Sequence, residues 1–190
     1  MDADDEQAFR RLLDERGLLR PHALAAPDRS AAYSVFAQRE DARLDLEPIR
    51  AQARRFFDVR LGLSVSKDYG ATAPEADAAR IMLASAGGRA LGTRLCFGRP
   101  TDRSDLEAAE RAEQIQRTHG MSLLARRCKV VWLVAASGES AATGLDPVAL
   151  TIAAVLASTL LGPILTPGGD ELFGVKTARA KLEAARGAGS

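Results

Sequence analysis

Apolar positions in the first third of the chain follow helical spacing twice and strand spacing once. The helical spacing predicts one helix over residues 4–19 and another from Leu46 to Phe57. Between them, residues 31–38 are ambiguous, and we interpret them as a short strand at the edge of the sheet. Apolar and polar residues then alternate over 58–66, which predicts a strand with one buried face.

Two segments in the middle of the chain carry the signature of a helix start. Residues 72–75, Thr-Ala-Pro-Glu, form a capping box with a proline inside it, and they predict a helix that ends at Gly87. Residues 104–107, Ser-Asp-Leu-Glu, predict a second helix that ends at Gly120, followed by a short helical turn over 121–127. These helices would separate three strands.

The remaining two of those strands are predicted over residues 91–98 and 128–136. The second is almost continuously apolar, which is typical of a central strand covered on both faces. Its Trp132 is expected in the core. Cys96 and Cys128 fall in these apolar runs, and we expect buried free thiols there.

The segment from Pro147 to Gly169 has no charged residue and is long enough to cross a bilayer. Small and polar residues dilute it, Gly162-Pro163 interrupts it, and the nearest flanking charges are all acidic, which does not suit a membrane span. We therefore predict a buried core helix capped by Asp146, the alternative being a membrane-associated segment over 147–166. A last helix is predicted over 170–186, with a frayed tail at 187–190.

The alternation of strands and helices from residue 58 onwards favours an α/β fold. We predict a small, mostly parallel sheet of three to four strands flanked by helices, in a single domain spanning residues 1–190. In that domain, a helical part over 1–57 packs on a βαβαβα core over 58–186. The alternative is an α+β fold with an antiparallel sheet, because strand order and direction cannot be read from one sequence.

Charge and cysteine content narrow the functional classes. The 190 residues carry 26 basic and 25 acidic side chains, so no global field draws the chain to nucleic acid or to an acidic membrane. The acidic N-terminus lacks the features of a secretory signal, and we expect a cytoplasmic protein. Two histidines and two cysteines, widely spaced, make no metal pattern, and no cofactor is implied.

A candidate ligand site follows from the predicted parallel sheet, because ligands bind where the carboxyl ends of parallel strands share one edge. The three loops expected at that edge are polar, and each leads to a helix N-terminus, which favours a phosphate or a carboxylate. Solvated turns without a ligand explain the same residues. The predicted ligand-binding residues are Lys67, Tyr69, Arg99, Thr101, Arg103, Ser137 and Ser140.

Two hypotheses for function remain, and no catalytic residue is indicated. Sequence signatures of nucleotide-binding loops and of serine-hydrolase elbows are absent. The first hypothesis is a non-enzymatic interaction or assembly module with a protein partner or a second copy, since an incompletely covered 147–166 helix would pack on a partner. The second is a small enzyme or sensor that binds an anionic metabolite at the three loops, and whether the protein is an enzyme stays open.

Overall fold

The computed structural model of the protein describes residues 27–38, 44, 46–65, 77–137 and 145–187. The predicted helix over 4–19, the capping box at 72–75 and the tail after Gly187 lie outside the described residues. The strands are β1 (Ala32–Ala37), β2 (Val59–Val65), β3 (Asp77–Ser85), β4 (Ala90–Pro100), β5 (Val130–Ala135), β6 (Ile164–Leu165) and β7 (Leu172–Phe173). The α-helices are α1 (Leu46–Phe57), α2 (Arg103–Gln116), α3 (Met121–Arg126), α4 (Pro147–Leu160) and α5 (Val175–Gly187).

The seven strands form one sheet in the order β2-β3-β4-β5-β1-β6-β7, and every neighbouring pair is antiparallel. The prediction of a mostly parallel sheet of three to four strands was therefore wrong, and the protein is α+β. The error began at β3. Asp77–Ser85 was predicted as part of a helix but is a strand, paired along its length with β2 and β4.

The loss of that helix explains why β3 and β4 run in opposite directions. A parallel pair needs a crossover of a dozen or more residues, usually a helix. Only a short turn joins β3 to β4, so the two strands pair as a hairpin. The alanine-rich sequence of β3 favours helix on propensity alone, but ladder hydrogen bonds on both sides outweigh that weak preference.

Residues 32–37 do form a strand, but β1 lies between β5 and β6 rather than at the sheet edge. All six of its residues are buried, because helices cover both faces of the sheet at this position. The continuous run of small and apolar side chains is the pattern of a strand buried on both sides. The predicted strands over 58–66, 91–98 and 128–136 are confirmed as β2, β4 and β5.

Two layers of helices cover the sheet. On one side, which we call the α4 face, α1, α4 and α5 pack on strand residues such as Val35, Trp132 and Val134. On the other, the α2 face, α2 and α3 pack on Phe36 and on the two short strands. Val35 and Phe36 are neighbours in β1, so their side chains point to opposite faces.

Helix α4 is the central helix of the α4 face and is almost completely covered within the chain. Ten of its fourteen residues are buried, which confirms the predicted core helix. Asp146 caps it by accepting hydrogen bonds from the backbone N–H groups of Val148 and Ala149, both at 2.9 Å. No described helix is long and apolar enough to cross a membrane.

Two glycines allow close packing around this core. Trp132 lies against Gly98 of β4, where an added Cβ would stand 2.7 Å from the indole ring. Gly162, just after α4, lies against β1, and an added Cβ would stand 1.7 Å from the Phe36 carbonyl oxygen. The Gly162-Pro163 interruption is thus the point at which the chain turns from α4 into β6 beside β1.

Other predicted elements are present, but with different bounds. The helix predicted from Ser104 begins at Arg103, and its capping box is formed by Asp102 and Asp105. The last helix begins at Val175, and β7 occupies residues 172–173 before it. Trp132 is confirmed in the core, and both cysteines are free and buried as predicted.

Candidate functional site

The antiparallel sheet does not bring the predicted ligand-binding residues to one edge. Arg99, Thr101 and Arg103 lie together where β4 runs into α2, whereas Ser137 follows the opposite end of the neighbouring β5. Arg99 is paired with Val131, and Ser137 lies six residues further along, or about 20 Å at 3.3 Å per residue. Lys67, Tyr69 and Ser140 lie outside the described residues, and anion binding at any of the seven stays a prediction.

Arg99 is engaged in an ion pair with a buried carboxylate. Its guanidinium donates two parallel hydrogen bonds to Asp105, at 2.7 and 2.9 Å, and Arg29 reaches the same carboxylate at 2.8 Å. Burial opposes the charge on Arg99, but the hydrogen bonds and the attraction of Asp105 outweigh it and raise the arginine's pKa. This cluster fixes the N-terminus of α2 to β4, which is a structural task.

The other two predicted residues near Arg99 have local partners. The Arg103 side chain is 93% exposed and donates to Glu107 one turn further along α2, at 2.7 Å. The Thr101 backbone N–H donates to the Lys129 carbonyl at 2.9 Å and extends the pairing of β4 with the β5 segment.

Ser137 belongs to a second structural cluster, on the α4 face. Its backbone N–H donates to Asp146 at 2.9 Å, and Arg94 of β4 donates to the same carboxylate oxygen at 2.9 Å. Burial raises the cost of ionising Asp146, but the hydrogen bonds from Ala149, Ser137 and Arg94 outweigh it, so that its pKa lies below the usual value. The carboxylate is therefore held ionised at the N-terminus of α4.

The described part of the chain shows neither a reactive cysteine thiolate nor a metal site. Burial raises the pKa of the Cys128 thiol to about 11 and that of Cys96 further still, so neither is a thiolate near neutral pH. Within the same residues, no group of three or more His, Cys, Asp or Glu side chains is placed to hold a metal ion.

A cleft of about 670 Å³ opens between α1 and α5, on the outer side of the α4 face. Both helices pack on α4, and the cleft lies between them with Ser158 of α4 in its lining. Its volume is in the range of small-molecule sites. The lining residues are Gln52, Arg55 and Phe56 from α1, Ser158 from α4, and Val175, Lys176, Arg179, Ala180 and Glu183 from α5.

The cleft combines apolar walls with cations on two opposing helices. The Arg55 guanidinium lies 5.0 Å from the centre of the Phe56 ring, so that the α1 wall presents an aromatic ring and a positive charge together. Lys176 is on the α5 wall. Both cations are exposed, and among the described residues neither has an ion-pair partner, whereas Arg179 lies 4.0 Å from Glu183.

Comparisons of the chain with protein-family models, with curated proteins and with solved structures found no match. The geometry of the molecule is therefore the basis for any statement about its function. Within that geometry, the α1–α5 cleft combines apolar surface with cations that have no ion pair among the described residues.

None of the cleft residues was among the predicted site residues. The sequence does contain a signal, because Arg54-Arg55 is followed by two phenylalanines and α5 is rich in basic residues. Charged pairs of this kind also occur on solvated helix faces, so the composition alone does not identify a site. About 120 residues separate Arg55 from Lys176, and only the packing of both helices on α4 brings them to one cleft.

Proposed function

We propose that the protein binds a small amphiphilic anion, a carboxylate or phosphate on an apolar body, in the α1–α5 cleft. The observation that supports this is the pair of cations without ion-pair partners in the described structure, Arg55 and Lys176, on opposite walls of one cavity. A negative head group between them would be paired from both sides. The apolar part of the ligand would lie against Phe56, Val175 and Ala180.

This proposal keeps the class of ligand expected from the sequence, an anion, and moves it to another place. A helical cleft at the surface suits a binding or sensing protein, because the described lining offers no nucleophile with an adjacent base. We further propose a cytoplasmic location, which two buried free thiols suit.

Thermal unfolding with matched small ligands tests the proposal. Octanoate and octyl phosphate carry both the charge and the chain, whereas acetate, inorganic phosphate and octanol each lack one of them. At a hundred times its Kd, an amphiphile should raise the Tm by about 5–10 °C in a domain of this size. The three partial ligands should give much smaller shifts.

Charge and shape variants assign the binding to the cleft. The double variant Arg55→Gln/Lys176→Gln should lose most of the Tm shift, and so should Ala180→Phe, which fills the cleft without changing its charge. The matched control, Arg111→Gln/Arg127→Gln, removes two exposed cations from the α2 side of the molecule and should respond as the wild type does. If no amphiphile shifts the Tm, or if both double variants respond alike, the proposal is wrong.

A second candidate is the interaction or self-association module expected from the sequence. The sequence-based argument for this module required an incompletely covered α4. That argument no longer applies, because α4 is buried within the chain. What favours it now is the outer surface of α2 and α3, where Ile115 and Leu123 are 63% and 61% exposed. Light scattering between 5 and 200 µM tests it, since a monomer throughout this range would count against self-association.

A further inference from the structure

Positive charge is concentrated on the two helices that form the cleft. The chain as a whole has a net charge of +1, but α1 and α5 carry seven basic and only two acidic residues. The basic residues are Arg50, Arg54, Arg55, Lys176, Arg179, Lys181 and Arg186, and the acidic ones are Glu47 and Glu183. We call the outer side of these two helices the basic surface.

Part of this charge is neutralised locally and part is not. Arg50 lies 3.6 Å from Glu47, and Lys181 donates to Glu171 at 2.7 Å. In contrast, Arg54, Arg55 and Lys176 are exposed and have no ion pair among the described residues. Arg55 and Lys176 line the cleft, and together with Arg54 they produce a local positive field that the net charge of the chain conceals.

An aromatic side chain lies within this cationic surface. Phe56 is 36% exposed at the last turn of α1, although Phe57 beside it is buried in the core. Exposed phenylalanine among lysines and arginines is typical of helices that lie at a membrane interface, where the ring enters the boundary of the acyl chains. The adjoining cleft has room for a lipid head group and the start of its chain.

We propose that the basic surface docks on membranes that carry anionic phospholipids, with a lipid phosphate between Arg55 and Lys176 and Phe56 at the acyl boundary. The inference rests on the proposed function, because it names the amphiphilic anion as a membrane lipid. Single-stranded RNA would also be attracted to positive charge, but proteins bind it by stacking successive bases on several aromatic side chains. The single exposed ring and the apolar cleft favour a lipid.

Vesicle co-sedimentation tests this docking directly. We expect the full chain to bind vesicles with 30% phosphatidylserine at least tenfold more strongly than vesicles of phosphatidylcholine, and to be released at 0.5 M NaCl. Each basic residue close to an anionic surface is worth about fivefold in binding. Arg55→Gln/Lys176→Gln should therefore weaken binding about 25-fold, whereas Arg111→Gln/Arg127→Gln should change it less than about twofold.

A fluorescence measurement separates insertion from charge attraction. In Phe56→Trp, the new indole should shift its emission to shorter wavelength on anionic vesicles, while the buried Trp132 in the wild type should not respond. Sedimentation without this shift would overturn the placement of residue 56 at the acyl boundary. Equal or tighter binding of a 20-nucleotide RNA, lost in the same double variant, would overturn the assignment to lipid.

The two proposals fail in different ways. If octyl phosphate binds in solution but anionic vesicles do not, the membrane inference is overturned and the proposed function stands. If vesicles bind through Arg55 and Lys176 but octyl phosphate does not, the docking surface is supported and the cleft is overturned as its ligand site. Equal binding of both kinds of vesicle would also overturn the inference.

Discussion

The helical layers on the two faces of the sheet are attached to it by the same kind of ion pair, but the charges on their outer surfaces differ. In each layer, an aspartate at a helix N-terminus binds an arginine of β4. Asp146 of the α4 layer binds Arg94, and Asp105 of the α2 layer binds Arg99. The two arginines are five residues apart in one strand, so they point to opposite faces. One strand thus orients both layers.

The outer surfaces differ in how their charges are used. Helices α2 and α3 carry three basic and four acidic residues, and most are paired: Arg103 with Glu107, Arg126 with Glu110, and Glu113 with Ser122. Helices α1 and α5 carry an excess of cations, three of them unpaired within the described structure. The comparison teaches that the arginine–aspartate pairs are structural, whereas the proposed binding depends on cations of α1 and α5 that have no ion pair among the described residues.

The largest expected effect breaks the attachment of α4 to the sheet. In Gly162→Ala, the new Cβ would overlap the Phe36 carbonyl oxygen, and β1 cannot move because it is paired on both sides. We expect a loss of more than about 4 kcal/mol in the free energy of unfolding, measured by urea denaturation. Gly187→Ala, where an added Cβ meets nothing within 4 Å, should stay within about 0.5 kcal/mol of wild type. Equal stability of the two variants would contradict this packing.

The next largest effect concerns the two aspartate–arginine pairs that attach the helical layers to β4. Asp146→Ala removes the cap of α4 and leaves Arg94 without its carboxylate, and Asp105→Ala does the same for Arg29 and Arg99. Removing one partner of a buried pair costs about 3–5 kcal/mol, and we expect each variant near the lower end because the arginines keep some access to water. Glu107→Ala, in an exposed pair, should cost less than about 1 kcal/mol. If only one of the two aspartate variants lost stability, the two layers would not be attached to the sheet in the same way.

A smaller effect appears in the dependence of stability on pH. The pKa of Asp146 is lower in the folded protein than in the unfolded chain, so its ionised form stabilises the fold above the usual aspartate pKa, about 4. This contribution is lost as the pH falls through the lower, folded-state value. Asp146→Asn lacks it, and we expect the difference in stability between variant and wild type to narrow between pH 6 and pH 3. A constant difference would show that the charge of Asp146 does not contribute.

The smallest effect on stability belongs to the basic surface. Arg55→Gln/Lys176→Gln removes two exposed cations without ion pairs in the described structure, and we expect the free energy of unfolding to change by no more than about 0.5 kcal/mol. The same variant should lose ligand binding. A large destabilisation would mean that these cations serve the fold, and the contrast between the two helical layers would fail.

Local signals in the sequence were sufficient for several elements. The Asp146-Pro147 start of α4 was predicted because a cap and an N1 proline act within one turn. Strand β2 was predicted from alternating apolar and polar residues, and β4 and β5 from apolar runs. Gly162-Pro163 was recognised as an interruption, although its close contact with β1 was not.

The candidate site could not be predicted from local sequence signals in the same way. The predicted site used Arg99 and Ser137 because both follow strands, and following a strand is a local property. Whether those strand ends meet depends on the relative direction of β4 and β5, which pair antiparallel although two helices connect them. The cleft residues carried a compositional signal only, and the same composition is common on solvated helices.

By itself, the sequence determined where most strands and helices begin, that α4 is a core helix, and that Trp132 and both cysteines are buried. These properties depend on hydrophobic burial and capping, which act over a few residues. Only the tertiary structure decided that Asp77–Ser85 is a strand, that the sheet is antiparallel, and that Arg55 faces the same cleft as Lys176. Ladder pairing and helix packing join residues far apart in the chain, and no local pattern encodes which partners they choose.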